Sequence, residues 1–504
     1  MTAAASPGAL PFHAPYIDYH ALAPEIVLST VVVVVLVLDL LVDETRKYLV
    51  TQLAGLGVVA SAVPLLSLAA RHGTHSWSMF GGAYVVDNFS LVLKALFIFT
   101  GYIVLLMSTN YIEEGDYYEG EFSFLVLSSL LGMVVMASAR DLITIFVALE
   151  LLSIPAYMLA GWRKRDLRSN EAALKYYLLG VLATAVMLYG MSLIFGFTGT
   201  TVLSQIGAQI AGSAGSHPIV TVGIFFIVVG FAFKVSAVPF HFWAPDVYEG
   251  APTPVTAFLS VASKTGGFVA LFQLIFVGFY GRYDVYGPLF WVLAALTMTV
   301  GNLVALRQTN IVRMLAYSSI GQAGYILVPF AVAGTNARAA HSSQTASIVY
   351  LLIYAAMNLG AFAIVIAVAR RTRSGDIASY SGLFTYAPGL TVVMTIFLFS
   401  LAGVPPLGGW FAKFYVFRAV ADAGTAWAWV LGVLVAVNSV IALFYYAGVA
   451  RQMWMNPAPD GDRRPVRVPP PLAAALGLCA LVVMAIGVYP QAFARMGDVA
   501  SLLR

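Results

Sequence analysis

The chain has 504 residues and a formal net charge of +4, but only 10% of its residues are Asp, Glu, Lys or Arg and 60% are hydrophobic. A soluble multidomain enzyme needs about a quarter charged residues to cover its surface, so that class is excluded and a polytopic membrane protein is expected. No domain-length stretch combines dense Lys and Arg with exposed aromatics, so the expected solvent and partner is the lipid bilayer and not nucleic acid.

Redox chemistry finds little to work with. The one cysteine, Cys479, lies in an apolar run and can neither close a disulfide nor hold an iron–sulfur cluster by itself. Of the histidines, His13, His20, His72, His75, His217 and His341 fall in the N-terminal segment or in loops, and only His241 lies near a span. A bis-histidine haem within the bilayer is therefore not expected. The first 23 residues contain no Lys or Arg, so they lack the basic region of a cleavable signal and the first apolar run is expected to remain as an anchor.

Runs of about 20 apolar residues, the length that crosses a hydrocarbon core, recur in chain order at 24–42, 50–70, 85–108, 122–139, 140–161, 171–196, 219–242, 254–279, 285–306, 309–331, 344–369, 388–421, 427–449 and 472–489. Fourteen membrane-spanning helices are expected. Loops after odd-numbered spans hold Arg46, Lys47, Arg163, Lys164, Arg165, Arg168, Arg307, Arg370, Arg371, Arg373, Arg451, Arg463, Arg464 and Arg467, whereas even loops and termini hold only Arg71, Arg140, Arg282, Arg338, Arg495 and Arg504. The positive excess makes the odd loops cytoplasmic and both termini outward-facing. One odd loop is acidic, with Glu113, Glu114, Asp116, Glu119 and Glu121, but acids weigh little in this rule.

Of the remaining basic residues, Arg313 and Arg418 lie near span ends. The other five are lysines inside spans: Lys94, Lys175, Lys234, Lys264 and Lys413. Each costs about 2.5–3.5 kcal/mol at the bilayer centre on insertion scales, so the group must face protein or water within the bundle. Glu150 is the acid at the middle of a span.

Helix breakers stand beside these lysines. Pro239 removes a backbone donor shortly after Lys234, so the seventh span is expected to break and free carbonyls at depth. The twelfth span repeats the theme with Gly403-Val404-Pro405-Pro406-Leu407-Gly408-Gly409-Trp410, eight residues ahead of Lys413, and the eighth is expected to soften at Gly266-Gly267, directly after Lys264. Val238-Pro239 and Val404-Pro405 lie 166 residues apart, Trp243 and Trp410 lie 167 apart, and Asp141-Leu142 matches Asn310-Ile311 at 169. An offset of five spans reverses topology, so the pattern reads as an inverted repeat of the transporter kind.

Burial disfavours the ammonium form of lysine and eases release of its proton, while a nearby carboxylate opposes this. Lys234 and Glu150 can thus form a switch in which closing the pair loads a proton and opening it expels one; the plainer alternative is a static salt bridge pinning two helices. Lys264 and Lys413 extend the series, and His241, beyond the Pro239 break, either passes protons or is simply packed among aromatics. Lys175 has a bland account in snorkelling or in pairing with Glu171 one turn back. Lys94 has neither a break nor an acid close in sequence. Arg140-Asp141 reads as an interfacial pair.

Residues Lys234 to Phe258, KVSAVPFHFWAPDVYEGAPTPVTAF, followed by Ser263-Lys264, resemble the signature of the antiporter-like membrane subunits of proton-pumping NADH:quinone oxidoreductase, respiratory complex I. Glu171 to Leu179 and the end of the chain after the fourteenth span resemble the member without a long lateral helix. The resemblance implies an all-α polytopic fold of fourteen helices, with N-terminal spans at 1–121, repeat one at 122–280, repeat two at 285–450, and a Pro/Arg-rich linker with the last span at 451–504. It also implies a proton relay through Glu150, Lys175, Lys234, Lys264, Lys413 and His241. It implies no cofactor in this chain: flavin, iron–sulfur clusters and quinone belong to partner subunits. Those partners are a second antiporter-like subunit on one side and small helical subunits on the other, in a bacterial cell membrane. A subunit of a multi-subunit cation/proton antiporter, and a purely structural membrane-arm subunit, are the competing readings.

Overall fold

The computed structural model describes residues 16–43, 46–71, 76–114, 119–212, 217–458 and 465–502. His13, His72, His75, Asp116, Arg463, Arg464 and Arg504 lie outside the described residues. Twelve helices among the described residues are long and apolar enough to cross a membrane, and two shorter apolar ones, Pro218–Lys234 and Pro388–Ala402, are each continued by a second helix beyond a break. The outermost helices turn apolar side chains outward, as at Leu56, Leu66, Leu182 and Phe444, while ionisable and amide side chains gather inside. This inversion is what a hydrocarbon solvent selects.

The N-terminal unit comprises α1 (Ala23–Leu41), α2 (Tyr48–Arg71), a hairpin of β1 (Trp77–Met79) and β2 (Tyr84–Val86), and α3 (Asn88–Glu114). The strands pair antiparallel from Trp77↔Val86 to Met79↔Tyr84. Gly81 and Gly82, at φ of 66° and 92°, make the turn, a backbone region open mainly to glycine. The third span therefore begins at Asn88, after a strand and not at residue 85, because Val85-Val86 extends the apolar run without being helical.

The stretch expected to form repeat one follows with α4 (Glu119–Ser138), α5 (Leu142–Ala160), α6 (Leu167–Thr198), the short α7 (Leu203–Gly212), the broken pair α8 (Pro218–Lys234) and α9 (Trp243–Gly250), and an eighth span built from α10 (Thr253–Phe258) and α11 (Lys264–Gln273). Helix α7 was unexpected: Leu203, Ile206 and Ile210 bury one face of a helix too short to cross. The eighth span departs from expectation in detail. Its irregularities are π-helical segments at Leu259–Ser263 and Leu274–Gly278, whereas Gly266-Gly267 lies inside regular helix. The glycines serve packing: a Cβ at Gly267 would stand 3.0 Å from Val235 and 3.2 Å from Cγ of Lys234.

The stretch expected to form repeat two contains α12 (Tyr283–Ala305), α13 (Ile311–Val332), α14 (Ala337–Thr372), the single turn α15 (Leu383–Tyr386), the broken pair α16 (Pro388–Ala402) and α17 (Gly408–Ala423), and α18 (Ala426–Met455); α19 (Pro470–Val488) and the amphipathic α20 (Pro490–Val499) follow. The 36-residue α14 is nearly all buried and runs through the centre. Asp141 and Asn310, matched at an offset of 169 residues, play the same local part. Each side chain caps its helix, accepting from Thr144 N–H at 2.6 Å and from Val312 N–H at 2.9 Å. Each following residue donates its N–H to a distant strand-like segment, Leu142 to the Thr201 carbonyl and Ile311 to the Gly375 carbonyl. Arg140 does not pair with Asp141, since the cap occupies that carboxylate; its partner is Asp87, at 2.8 Å.

Both breaks fall where proline and glycine required them. Helix α8 ends at Lys234, and the indole N–H of Trp243 donates to the freed Phe233 carbonyl at 3.0 Å. Helix α16 ends at Ala402, Gly403 takes φ 88°, and the Leu401 and Ala402 carbonyls accept from Gln322 at 3.0 Å and from Lys413 at 2.7 Å. Non-helical backbone at membrane depth persists because protein donors meet these carbonyls.

Candidate functional site

Three lysines occupy the interior as the breaks and packing dictate. Lys234 is the last residue of α8, and its ammonium donates to Ser153 Oγ at 2.8 Å and to the Tyr176 hydroxyl at 3.3 Å. Ser153 lies on α5 one turn beyond Glu150. The expected Glu150–Lys234 ion pair is not formed: no ion pair joins them among the described residues, and Glu150 Oε1 is buried without a hydrogen-bond partner there.

Tyr176 links this lysine to the next span, its hydroxyl lying 3.5 Å from Ser263 Oγ, and Ser263 precedes Lys264. Lys264, the first residue of α11 after the π segment, donates to the Ser319 carbonyl at 3.0 Å and to the Ser319 hydroxyl. The neighbouring Ser318 shares a hydrogen bond with Tyr446, whose hydroxyl accepts from Gln322 Nε2 at 3.4 Å. Gln322 in turn accepts from the Tyr350 hydroxyl at 2.5 Å. Lys413 donates to the Ala402 carbonyl, one residue from the carbonyl that Gln322 binds, and lies 4.6 Å from the centre of the Tyr325 ring. Lys234, Lys264 and Lys413 are 3%, 2% and 4% exposed. Their hydrogen-bond acceptors are neutral hydroxyls and carbonyls, which hold an ammonium without cancelling its charge.

The other candidates stand apart from this axis. His241 is buried in the break with Nδ1 unpartnered among the described residues. Lys175 is not beside Lys234: its side chain is 40% exposed and bridges Glu171 and Asp246, each at 2.7 Å. The pairing with Glu171 is the bland account offered above, joined by an acid the spacing could not indicate. Lys94 has an acid after all, Glu25 of α1, at 2.6 Å, with Tyr84 donating to the same carboxylate oxygen at 2.7 Å. Ser153, Tyr176, Ser319, Tyr446 and Gln322 were missed. A stripe of polar residues on α14, Gln344, Ser347, Tyr350, Tyr354 and Asn358, pointed to a polar interior, and Tyr350 in it donates to Gln322, but nothing in it marked the missed residues themselves.

A long helix bundle with two broken spans, one ending at the buried Lys234 and the other offering the Ala402 carbonyl to the buried Lys413, is the architecture of an ion-translocating membrane protein. The pattern of the family described as NADH:quinone oxidoreductase/Mrp antiporter, transmembrane, matches residues 139–439. NADH-quinone oxidoreductase subunit N of Trichlorobacter lovleyi is 39% identical over 477 residues, covering 94% of this chain and 95% of that one. A chain of respiratory complex I from Thermus thermophilus superposes with a TM-score of 0.76 at 31% identity, over 94% of this chain and 98% of that one. A chain of the Mrp complex from Dietzia shares the fold, with a TM-score of 0.81 at 22% identity over 96% of each chain. The chain belongs to this antiporter-like transmembrane family and, within it, to the NADH-quinone oxidoreductase subunit N group. It is a multi-pass membrane protein.

Proposed function

We propose that the chain is the proton-translocating membrane-arm subunit of an NADH:quinone oxidoreductase, moving protons through Glu150, Lys234, Lys264 and Lys413, with His241 at the break, while redox chemistry proceeds in other subunits. The observation that carries this reading is the series of three buried ammonium groups bonded to neutral oxygens, with hydroxyl and amide side chains lining the stretches between them. A lysine held this way can give up its proton without leaving a carboxylate stranded, and a closing Glu150 would favour its charged form. Transfer then runs from Lys234 through Tyr176 and Ser263 to Lys264, and through Ser319, Ser318, Tyr446 and Gln322 to Lys413. The chain needs no flavin, cluster or quinone of its own for these steps.

The two halves, 122–280 and 285–450, act in this reading as inverted repeats, supported by the paired caps at Asp141 and Asn310 and by the two breaks. The Arg-rich loops face the cytoplasm and both termini face outward. Neighbours are a second antiporter-like subunit on one side and small helical subunits on the other. The cation/proton antiporter alternative rests on the shared fold with the Dietzia chain, whereas sequence identity favours subunit N.

Replacing Lys234 by Ala in the assembled complex tests the relay. Protons pumped per NADH are expected to fall while assembly is intact, and unchanged stoichiometry would leave only the structural-subunit reading. Glu150→Gln removes the closing charge, and pumping is expected to drop with it; wild-type pumping in that variant rules out the switch.

A further inference from the structure

Away from the axis, the densest set of charges lies where α6, α9 and α13 meet on the face that carries the Arg-rich loops. A cavity of about 200 Å³ is lined there by Arg168, Glu171, Lys175, Asp246, Glu249 and Arg313. Asp246 stands at its centre. One carboxylate oxygen accepts from Lys175 at 2.7 Å and the other from Arg313 at 3.0 Å, and Arg313 also binds Glu249 at 2.7 Å. Lys175 belongs to repeat one and Arg313 to the first turn of α13 in repeat two, so one carboxylate ties the two halves together. Asp246 and Glu249 ride on α9, the limb of the broken span that lies beyond the break after Lys234.

Beneath the cavity lies a single aromatic layer. Ala172 lines the cavity, and Tyr176 follows one turn along the same face of α6; Asp246 lines it, and Trp243 precedes it by three residues on α9. Tyr176 and Trp243 stack with centroids 4.5 Å apart and planes within 12°, and the Tyr176 hydroxyl is the group that touches Lys234. The charged mouth and the buried lysine are thus separated by the stacked pair, and α6 and α9, the two helices that hold this pair, are those that Asp246 and Lys175 clamp together.

We propose that Asp246, held between Lys175 and Arg313, is an electrostatic latch that controls water access to Lys234. With both cations bound, α9 is fixed against α6 and α13, and the Tyr176–Trp243 stack stays closed. When Arg313 leaves, α9 loses its tie to repeat two, the stack parts, and water from the loop face reaches Lys234. Arg313, Asp246 and Lys175 are positioning residues in this scheme and carry no proton themselves. The latch rests on the reading that Lys234 takes its proton from this side, and it makes the arrangement of the two repeats the signal that opens the path. Nη1 of Arg313 donates to both Asp246 and Glu249, and a guanidinium, planar and more weakly hydrated than an ammonium, suits such a shared contact better than a lysine does.

The test reads water access directly. In the assembled complex, Ser153→Cys in a Cys479→Ser background places a thiol beside Lys234, and its modification by a small polar thiol reagent is followed on this chain. Arg313→Gln is expected to raise the labelling rate about tenfold, the population change that about 1.4 kcal/mol produces, and Arg313→Lys to raise it less. Wild-type labelling rates in both variants would overturn the latch. Because the readout is access and not pumping, failure of the relay is distinguishable: unchanged pumping in Lys234→Ala with faster labelling in Arg313→Gln would keep the gate and remove the relay behind it. If Arg313→Gln does not assemble, Glu249→Gln loosens the same guanidinium from one side, and an unchanged labelling rate there counts against the latch equally.

Discussion

At the residue scale, function turns on how a few ammonium groups are solvated by protein. Lys234, Lys264 and Lys413 each bind hydroxyl or carbonyl oxygens, whereas Lys94 is closed on Glu25, and in the proposed relay that difference separates a group able to exchange a proton from one that holds helices together. Gly267 sets the position of Lys234 by letting α11 approach its side chain. In Gly267→Ala the new methyl would press on Val235 and on Cγ of Lys234, with an overpacking cost of about 1–3 kcal/mol. Thermal stability of the assembled arm is expected to fall by that order, together with protons pumped per NADH; full pumping would mean that the lysine tolerates displacement. The lysines and Glu150 were legible because ionisable residues are conspicuous in an apolar chain. Ser153, Tyr176 and Gln322 were not, because serine and tyrosine are common in spans and often only bond their own helix, as Ser153 also does with the Leu149 carbonyl.

At the element scale, breaks and ion pairs decide how helices are held. Pro239 and the Gly403 to Gly409 stretch announced their breaks, since few residues can end a helix at membrane depth for another reason. The π segments of the eighth span, the β1–β2 hairpin and α7 had no such signature, because in a uniformly apolar stretch the change of period that marks a strand or a bulge is lost. The contact between Glu25 of α1 and Lys94 of α3 was equally hidden, its partners being 69 residues apart. This pair fastens the N-terminal unit. Lys94→Met or Glu25→Gln alone leaves a buried partner unmatched, with an expected loss of about 3–5 kcal/mol, while the double variant recovers most of it. A double-mutant cycle on the thermal stability of the assembled arm checks this, and additive losses would show that the pair contributes nothing as a pair.

At the scale of the whole molecule, the charges divide into two populations. Arginines in the loops set the proposed orientation, while most of the lysines inside the chain form the candidate path, and this division was readable from counts alone. The orientation has its own check: in a Cys479→Ser background, Tyr16→Cys is expected to react with an impermeant maleimide only from the outer face, and Arg165→Cys only in inverted vesicles. The reverse pattern would turn the proposed direction of translocation around. What composition could not convey is that the two halves meet through side chains as well as through packing, at Lys264 with Ser319 in the interior and at Asp246 with Arg313 near the surface.

The stretch between Lys264 and Lys413 contains no ionisable group of ordinary acidity, only serines, tyrosines and an amide. A hydroxyl carries one hydrogen and two lone pairs, so handing a proton onward leaves its O–H pointing the opposite way. In the proposed relay, the hydroxyls are therefore spent after each transit, and every rotor must swing back before another proton can follow in the same direction. A relay of this kind acquires a second clock beside the redox cycle, set by the rotation of the Ser318 and Tyr446 hydroxyls in a tightly packed interior.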